Sequence, residues 1–472
     1  MYKMYTEPWE HQLKALDYLM LHKAAALYTD MGSGKTKVCI DLIVNKAFKF
    51  TVVVTTKKGC SVWVKEFGKH CDLEKEKICV LDLSKSSTSI KVSRLAKTFA
   101  RAAKNDLKLV IIINYDSIWL RPFGDKLLKY PIDCVICDES HKIKSPSSKC
   151  SWYLKRIGKR VNNRYLVTGT PTPESPLDIY AQYRFLDPSI FGTNFDVFRN
   201  EYENVDIMAT MNAGFRVLYK SKPYKNLDTL KEKMYSCAFY VTPDLKLPPQ
   251  TFIDYEYEPT KELIEIYKEL NKEGVYINDD GILETNNALT KALRKQQLLS
   301  GCLPLESSDF TEKFVKTVDY SRKEAFQELL SEIPSHEPVV VFAKFRHDFD
   351  MIKLACKELH RGYSEISGVK DTEAEWQAGK TSVIAVHYQS GSESIDLTKA
   401  RYYIGYSGSH SYGLYSQSIK RVHRPGQERP VTYYNIVCKI PKIETVDEQI
   451  SKALSLKQDL ADYLVKTKEQ GI

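Results

Sequence analysis

Apolar residues along this chain gather into short, strand-sized runs. The first half holds TVVVT at Thr51–Thr55, LVIII at Leu109–Ile113, CVICD at Cys134–Asp138 and YLVT at Tyr165–Thr168. The second half holds VVVFA at Val339–Ala343, VIAVH at Val383–His387, YYIGY at Tyr402–Tyr406 and VTYYNIV at Val431–Val437. Runs that are apolar throughout, rather than alternating with polar residues, belong to strands buried on both faces. Helical-looking segments separate them, which is the pattern of parallel sheets covered by helices. The series occurs twice, so the expected fold class is α/β with two domains, 1–245 and 246–472. The boundary is expected near LKLPPQ, Leu245–Gln250, where Pro248 and Pro249 break any regular element. Between Lys261 and Leu330, KELIEIYKEL, NALTKALRKQQLLSG and RKEAFQELL predict helices that open the second domain.

Composition narrows the class. A chain of 472 residues is too long for one ordinary domain. Its 43% hydrophobic and 27% charged residues are the balance of a soluble globular protein. The net charge of +9 is compatible with binding a phosphate backbone. Eleven cysteines without framework spacing, and no secretory signal, predict a reducing compartment. Cys134 and Cys137 form a Cys-x-x-Cys, but residues three apart on a strand point to opposite faces and serve one metal poorly. No apolar stretch approaches the ~18 residues of a membrane span.

Candidate chemistry begins at YTDMGSGKTKVCIDLIV, Tyr28–Val44. Glycines in GSGKT, Gly32–Thr36, let backbone N–H groups curl around phosphate oxygens, and the following helix N-terminus adds positive charge. Lys35 is placed to reach the β- and γ-phosphates of ATP, and the Thr36 hydroxyl to ligate Mg²⁺. Met31, Ser33, Gly34 and Lys37 complete the expected cradle. The match is partial, because Thr29 stands where the strict pattern has its first glycine. A second element follows in CVICDESHKIKSPSSK, Cys134–Lys149. There Asp138 is expected to hold Mg²⁺ and Glu139 to orient and deprotonate the attacking water. His141 is expected to relay the nucleotide state to neighbouring segments.

DESH is a variant of the DEAH box, and the pair resembles the superfamily 2 helicase-like ATPases. The surrounding motifs resemble the Snf2 family within it. DESHKIKSPSSK is similar to DEAHRIKNPNSK, YLVTGTP at Tyr165–Pro171 to LLLTGTP, and VVVFAKF at Val339–Phe345 to VLIFSQF. The stretch Asp178–Tyr202 resembles the family's LxxLxxFLxPxxFGxxxxF pattern, and EISG at Glu365–Gly368 sits at its short "DGS" turn. GSESIDLTKA at Gly391–Ala400 resembles GGLGINLTAA, and QSIKRVHRPGQ at Gln417–Gln427 resembles QAEDRAHRIGQ. PWEHQLKALDYL at Pro8–Leu19 resembles RPYQLEGVxWL and puts Gln12 at the adenine-reading glutamine. The departures are GSES in place of a glycine-rich segment, TTKK at Thr55–Lys58 in place of CPKS, and Pro425 in place of an aliphatic residue.

The resemblance runs from about Pro8 to Gln427 and implies two RecA-like lobes with ATP in the cleft. Lobe one would supply Lys35, Thr36, Asp138 and Glu139. Lobe two would supply arginine fingers, Arg421 and Arg424, three apart on a predicted helix and hence on one face, with Gln417 beside them. Thr168, Thr170 and Asp396 would couple nucleotide state to nucleic-acid grip. The grip itself would use Lys57, Lys58, Trp63 and Tyr115 in lobe one, and Lys344, Ser390 and Thr398 in lobe two. Such a chain is expected to translocate on double-stranded DNA, with a possible targeting protein and no required oligomer. A strand-separating helicase and a scaffold with a vestigial ATPase are the alternatives. The compact chain lacks the insertions of nucleosome remodellers. It suggests a bacterial or viral protein of DNA replication, repair or recombination, acting in the cytoplasm.

Overall fold

The computed structural model describes residues 2–204, 223–241, 246–278, 281–285, 288–306, 313–391 and 395–465. The chain divides into two compact units, Met1–Leu245 with the residues from Asp459 onward, and Lys246–Gln458.

The first unit is built on strands β1 (Ala24–Thr29), β2 (Phe50–Thr55), β3 (Ile78–Asp82), β4 (Lys108–Asn114), β5 (Cys134–Asp138), β6 (Asn163–Thr168) and β7 (Ala238–Val241). They form one parallel sheet in the order β3-β4-β2-β5-β6-β1-β7. Its helices include α1 (Glu10–Leu21), α2 (Lys35–Asn45), α3 (Lys57–His70), α4 (Lys149–Gly158) and α5 (Ile179–Leu186). Strand geometry sends successive side chains to opposite faces, and each face has its own apolar layer. Val52, Val54 and Cys137 lie in one layer, and Val53, Ile136 and Cys134 in the other. The two cysteines of the Cys-x-x-Cys are therefore on opposite sides of the sheet.

The second unit holds strands β8 (Gln250–Tyr257), β9 (Val275–Asn278), β10 (Gly281–Glu284), β11 (Cys302–Glu306), β12 (Lys313–Thr317), β13 (Val339–Ala343), β14 (Tyr363–Ile366), β15 (Val383–His387), β16 (Tyr402–Gly405) and β17 (Val431–Cys438). Six of them form a parallel sheet in the order β14-β15-β13-β16-β17-β8. Its helices include α6 (Lys261–Glu273), α7 (Ala288–Leu299), α8 (Ser321–Glu332), α9 (Arg346–Glu358), α10 (Tyr412–Val422) and α11 (Val446–Val465).

Two features differ from the sequence expectation. The segment read as helical does hold α6, α7 and α8, but β9–β12 also form a four-stranded sheet among them, with antiparallel pairings. These strands are short and partly exposed, so no continuous apolar run announced them. The second domain, expected to run to residue 472, ends at Gln458 because the last turns of α11 pack with the first unit. Tyr235 donates to the Val465 carbonyl at 2.9 Å, and Leu464 is fully buried in the first unit's core.

A buried ion pair fixes the second unit. The Arg322 guanidinium on α8 pairs with the Asp447 carboxylate on α11. It also donates to the Tyr406 carbonyl at 2.6 Å, the Leu299 carbonyl at 3.0 Å and the Tyr257 hydroxyl at 3.1 Å. Asp447 accepts further from the Cys438 N–H at 3.1 Å. One side chain thus ties α7, α8, α11, β8 and the end of β16.

Candidate nucleotide site and neighbouring segments

The loop between β1 and α2 gives the first unit its phosphate cradle. Gly32 and Gly34 lie at φ +81° and +76°, left-handed geometry that favours glycine. Gly34 is also the N-cap of α2 and provides no side-chain cap, so the first N–H groups of that helix face the loop. A Cβ at Gly34 would collide with the Gln12 amide. The Lys35 ammonium is buried and donates to the carbonyls of Thr29 at 3.1 Å and Asp30 at 2.9 Å. The Thr29 and Ser33 hydroxyls are buried without a hydrogen-bond partner. Positive-φ glycines, an uncapped helix start and a buried lysine are what a polyphosphate needs, so these residues fit a bound nucleotide.

Gln12 is tied to this loop. Its amide donates to the Ser33 carbonyl at 3.0 Å and accepts from the Trp9 N–H at 3.0 Å. His11 reaches the same carbonyl at 2.9 Å. Met31, in the same loop, is buried. Lys37 departs from expectation. Its ammonium forms a buried pair with Asp41 at 2.6 Å, one turn along α2 and away from Lys35. The helix periodicity explains this, since position 37 turns toward the core while 35 and 36 open the helix.

The acidic pair stands at the end of β5. Asp138 closes the strand and Glu139 follows it at a left-handed φ of +53°. Non-glycine residues held there carry strain, a recurring mark of functional positions. Asp138 accepts from the Trp63 indole N–H at 2.8 Å and the Thr55 hydroxyl at 2.9 Å. Burial, followed by the neighbouring Glu139 charge, pushes its pKa up to about 6. A carboxylate in that setting is stabilised by a cation, so the donor set fits Mg²⁺. Its raised pKa also makes Asp138 destabilising: the cost sets in as pH rises past ~4, where the unfolded carboxyl ionises, and is fully present above pH ~6. Asp138→Asn is therefore expected to stabilise the nucleotide-free protein by on the order of 1–3 kcal/mol at pH 8, fading to nothing at pH 4. Chemical unfolding at the two pH values checks this.

His141, Thr168 and Thr170 come together beside Glu139. The His141 ring contacts the Thr168 hydroxyl at 3.1 Å and the Glu139 carboxylate at 3.4 Å. Thr168 donates to Glu139 at 3.4 Å and accepts from the Thr170 N–H at 3.1 Å. Burial, then Lys142, Lys144 and Lys35, lowers the His141 pKa to about 3, so the ring is neutral and its contact to Glu139 is not an ion pair. Gln182 was not foreseen from the sequence. Fully buried on α5, it accepts from the Ser140 hydroxyl at 2.7 Å and donates to the Pro171 carbonyl at 2.7 Å. It joins the acidic box to the TGTP turn. Its only sequence signal is a glutamine inside an otherwise apolar helical face.

Several expected nucleic-acid contacts sit elsewhere. Trp63 is buried with its N–H on Asp138, and Tyr115 is buried with its hydroxyl on the Asp138 carbonyl at 2.7 Å. Both buttress the acidic strand end rather than face solvent, since each ring pays for its burial by placing its polar tip. Lys57 is exposed and Lys58 half-buried at the N-terminus of α3, where helix dipole and ammonium both favour an anion. In the second unit, Lys344 is half-buried and bonds Gln296 at 2.5 Å, and burial lowers its pKa to about 8. Ser390 is half-buried just after β15, in a helical turn. Asp396 is exposed and accepts from the Thr398 hydroxyl and N–H at 2.8 and 3.0 Å, so the two residues close a local turn. Of the GSES departure, residues 392–394 lie outside the described residues.

The arginines do not share a helix face as expected. Arg421 is buried in the last turn of α10, one turn after the buried Gln417. The helix ends at Val422 and His423 leaves it in extended geometry, so Arg424 is half-buried beyond the helix end. Pro425 and Gly426, at φ +103°, prevent its continuation. Gln427, which closes the QSIKRVHRPGQ motif, had no role assigned from the sequence. Its buried side-chain N–H groups are shared among the carbonyls of Thr398 at 3.0 Å, Ala400 at 2.8 Å and Val422 at 3.2 Å. The Leu397 N–H donates to the Arg421 carbonyl at 3.2 Å.

No helix among the described residues is long and apolar enough to cross a membrane. Residues 11–308 match the SNF2-related domain and residues 321–426 the helicase conserved C-terminal domain. The human DNA repair and recombination protein RAD54B is 24% identical over 499 residues, covering 93% of this chain and 52% of that protein. Putative protein p41 of Acyrthosiphon pisum secondary endosymbiont phage 1 is 24% identical over 481 residues, covering 97% of each chain. The chain thus spans about half the length of RAD54B and nearly all of p41. A solved structure, the Sulfolobus solfataricus SWI2/SNF2 ATPase core in complex with dsDNA, covers 98% of this chain at 18% identity with a TM-score of 0.42. With the SNF2-related domain alone spanning more than half its length, the chain belongs to the Snf2 family of nucleic-acid-dependent, helicase-like ATPases.

Proposed function

We propose that the protein hydrolyses ATP to move along duplex DNA. The observation that supports this best is the convergence of Lys35, Asp138, Glu139, His141 and Thr168 on one end of the first unit's sheet, around a loop suited to phosphates. RAD54B, a relative over nearly the whole chain, is named for DNA repair and recombination, which favours DNA as the track.

In this reading Lys35 and the α2 N–H groups hold the phosphates. Thr36 and Asp138 would hold Mg²⁺, which when bound neutralises phosphate charge. Glu139 takes the proton of the attacking water, with its carboxylate oriented by Thr168 and neutral His141. Arg421 and Arg424 are the second unit's candidates for stabilising phosphoryl-transfer charge. Backbone contacts by Lys57 and Lys58 give grip without sequence preference. The work is placed in the cytoplasm.

Steady-state hydrolysis by the purified protein, alone and with duplex DNA, single-stranded DNA or RNA, tests the proposal. Duplex DNA is expected to stimulate most, and Glu139→Gln to lower the rate at least about 10²-fold. Equal stimulation by single strands would replace translocation with strand separation. No hydrolysis with any nucleic acid would leave a scaffold.

A further inference from the structure

From His141 to Arg164 the sequence holds five lysines and three arginines and no aspartate or glutamate. Much of this stretch is α4, whose inner side buries Tyr153, Leu154 and Ile157. Its outer side carries Lys149, Trp152 and Arg156, with Lys159 just past the end. The spacings of three, four and three place them in one stripe at one-turn intervals. Trp152 is 56% exposed, whereas the adjacent Tyr153 is buried. The Arg156 guanidinium stacks on one face of that ring at 5.0 Å. Lys149 and Lys159 are exposed at either end.

Neighbouring elements leave the outer stripe of α4 uncancelled, although Glu174 and Asp178 pair with Lys144 at 3.9 and 3.8 Å. Of their acids, Asp125 pairs with Arg121 at 3.2 Å, and Asp116 lies beside Cys150. Arg184 on α5 adds to it and, after burial, helps lower the pKa of Lys155.

We infer that the outer stripe of α4 is a binding site for single-stranded nucleic acid, separate from the nucleotide site. This rests on the reading of the chain as a DNA-acting motor. An exposed ring flanked by cations at one-turn intervals matches a stacked base with phosphates on both sides. An acidic protein surface would use the cations but has no need of the ring. The open face of Trp152 takes one base, Arg156 closes the stack behind it, and Lys149 and Lys159 follow the backbone. Strand binding here does not feed the hydrolysis site, since no residue of the stripe belongs to it.

Binding of a fluorescent oligo-dT 20-mer, read by anisotropy with the protein presaturated with blunt hairpin duplex, tests this. The wild type is expected to bind the oligomer while duplex is bound. Trp152→Ala should weaken the oligomer about 10-fold, and Trp152→Phe should restore most of it. Lys159→Gln should lower the slope of log affinity against log salt by about 0.7. Duplex-stimulated hydrolysis should be unchanged in all three, which also shows that they fold. Simultaneous loss of hydrolysis by the wild type on every nucleic acid would instead strike the motor reading. Intact hydrolysis with no oligomer binding, with displacement of oligomer by duplex, or with no effect of Trp152→Ala overturns the stripe alone. So does retention by Trp152→Ala with loss only in the lysine variant, the signature of a surface for acidic protein.

Discussion

Arg424→Ala is expected to slow duplex-stimulated ATP hydrolysis by about 10³–10⁵-fold, the range typical of an arginine that stabilises phosphoryl-transfer charge. ATP binding should change by only a few fold, because such a group acts mainly in the transition state. The structure separates Arg424 from Arg421 in a way that makes the pair informative. Arg421 is buried in the last turn of α10, while Arg424 stands half-buried past the helix end. Arg421→Ala should therefore lower stability as well as rate, whereas Arg424→Ala should leave the unfolding midpoint near wild type. Stopped-time hydrolysis assays, nucleotide titrations and thermal unfolding of both variants check this. A rate within tenfold of wild type for Arg424→Ala would remove it from the mechanism.

Arg322→Met should destabilise the second unit by about 3–5 kcal/mol, the loss expected when one member of a buried ion pair is removed. Asp447 would keep a charge in a site only 5% exposed, with the Cys438 N–H as its remaining close donor. The Tyr406 and Leu299 carbonyls would lose their donor as well. The double variant Arg322→Met/Asp447→Leu should recover much of the loss, because it leaves no buried charge behind. Urea unfolding of the four proteins of this cycle measures the coupling. A single-variant loss below about 1 kcal/mol would mean that water reaches the pair.

The strongest sequence signals were the ones physics makes redundant. A strand buried on both faces must be apolar throughout, so β2, β4, β5, β6, β13, β15, β16 and β17 were all legible as runs. The phosphate loop and acidic box were legible because their chemistry demands particular residues at fixed spacing. Strand β1, next to the sheet edge, was not, because AAALYT offers small residues in place of β-branched ones. The sheet of β9–β12 was hidden by short, partly exposed strands. Side-chain direction was the other blind spot. Trp63 and Tyr115 were expected at the nucleic-acid grip, yet each turns its polar tip onto Asp138. Lys37 adjoins the cradle in sequence, but helix rotation carries its ammonium to Asp41. A spacing gives position along an element and leaves open which neighbour a long side chain will choose.

The Gln427 amide carries a mechanical consequence. By holding the carbonyls of Thr398, Ala400 and Val422 at once, it welds the turn before β16 to the end of α10. The segment bearing Arg424 and the turn bearing Thr398 then have no slack between them. A push of a fraction of an ångström on the arginine would reach the turn undamped, as through a stiff linkage rather than a hinge. Shortening that one side chain would let the two ends slip past each other, and in the translocase proposed above it would uncouple hydrolysis from movement.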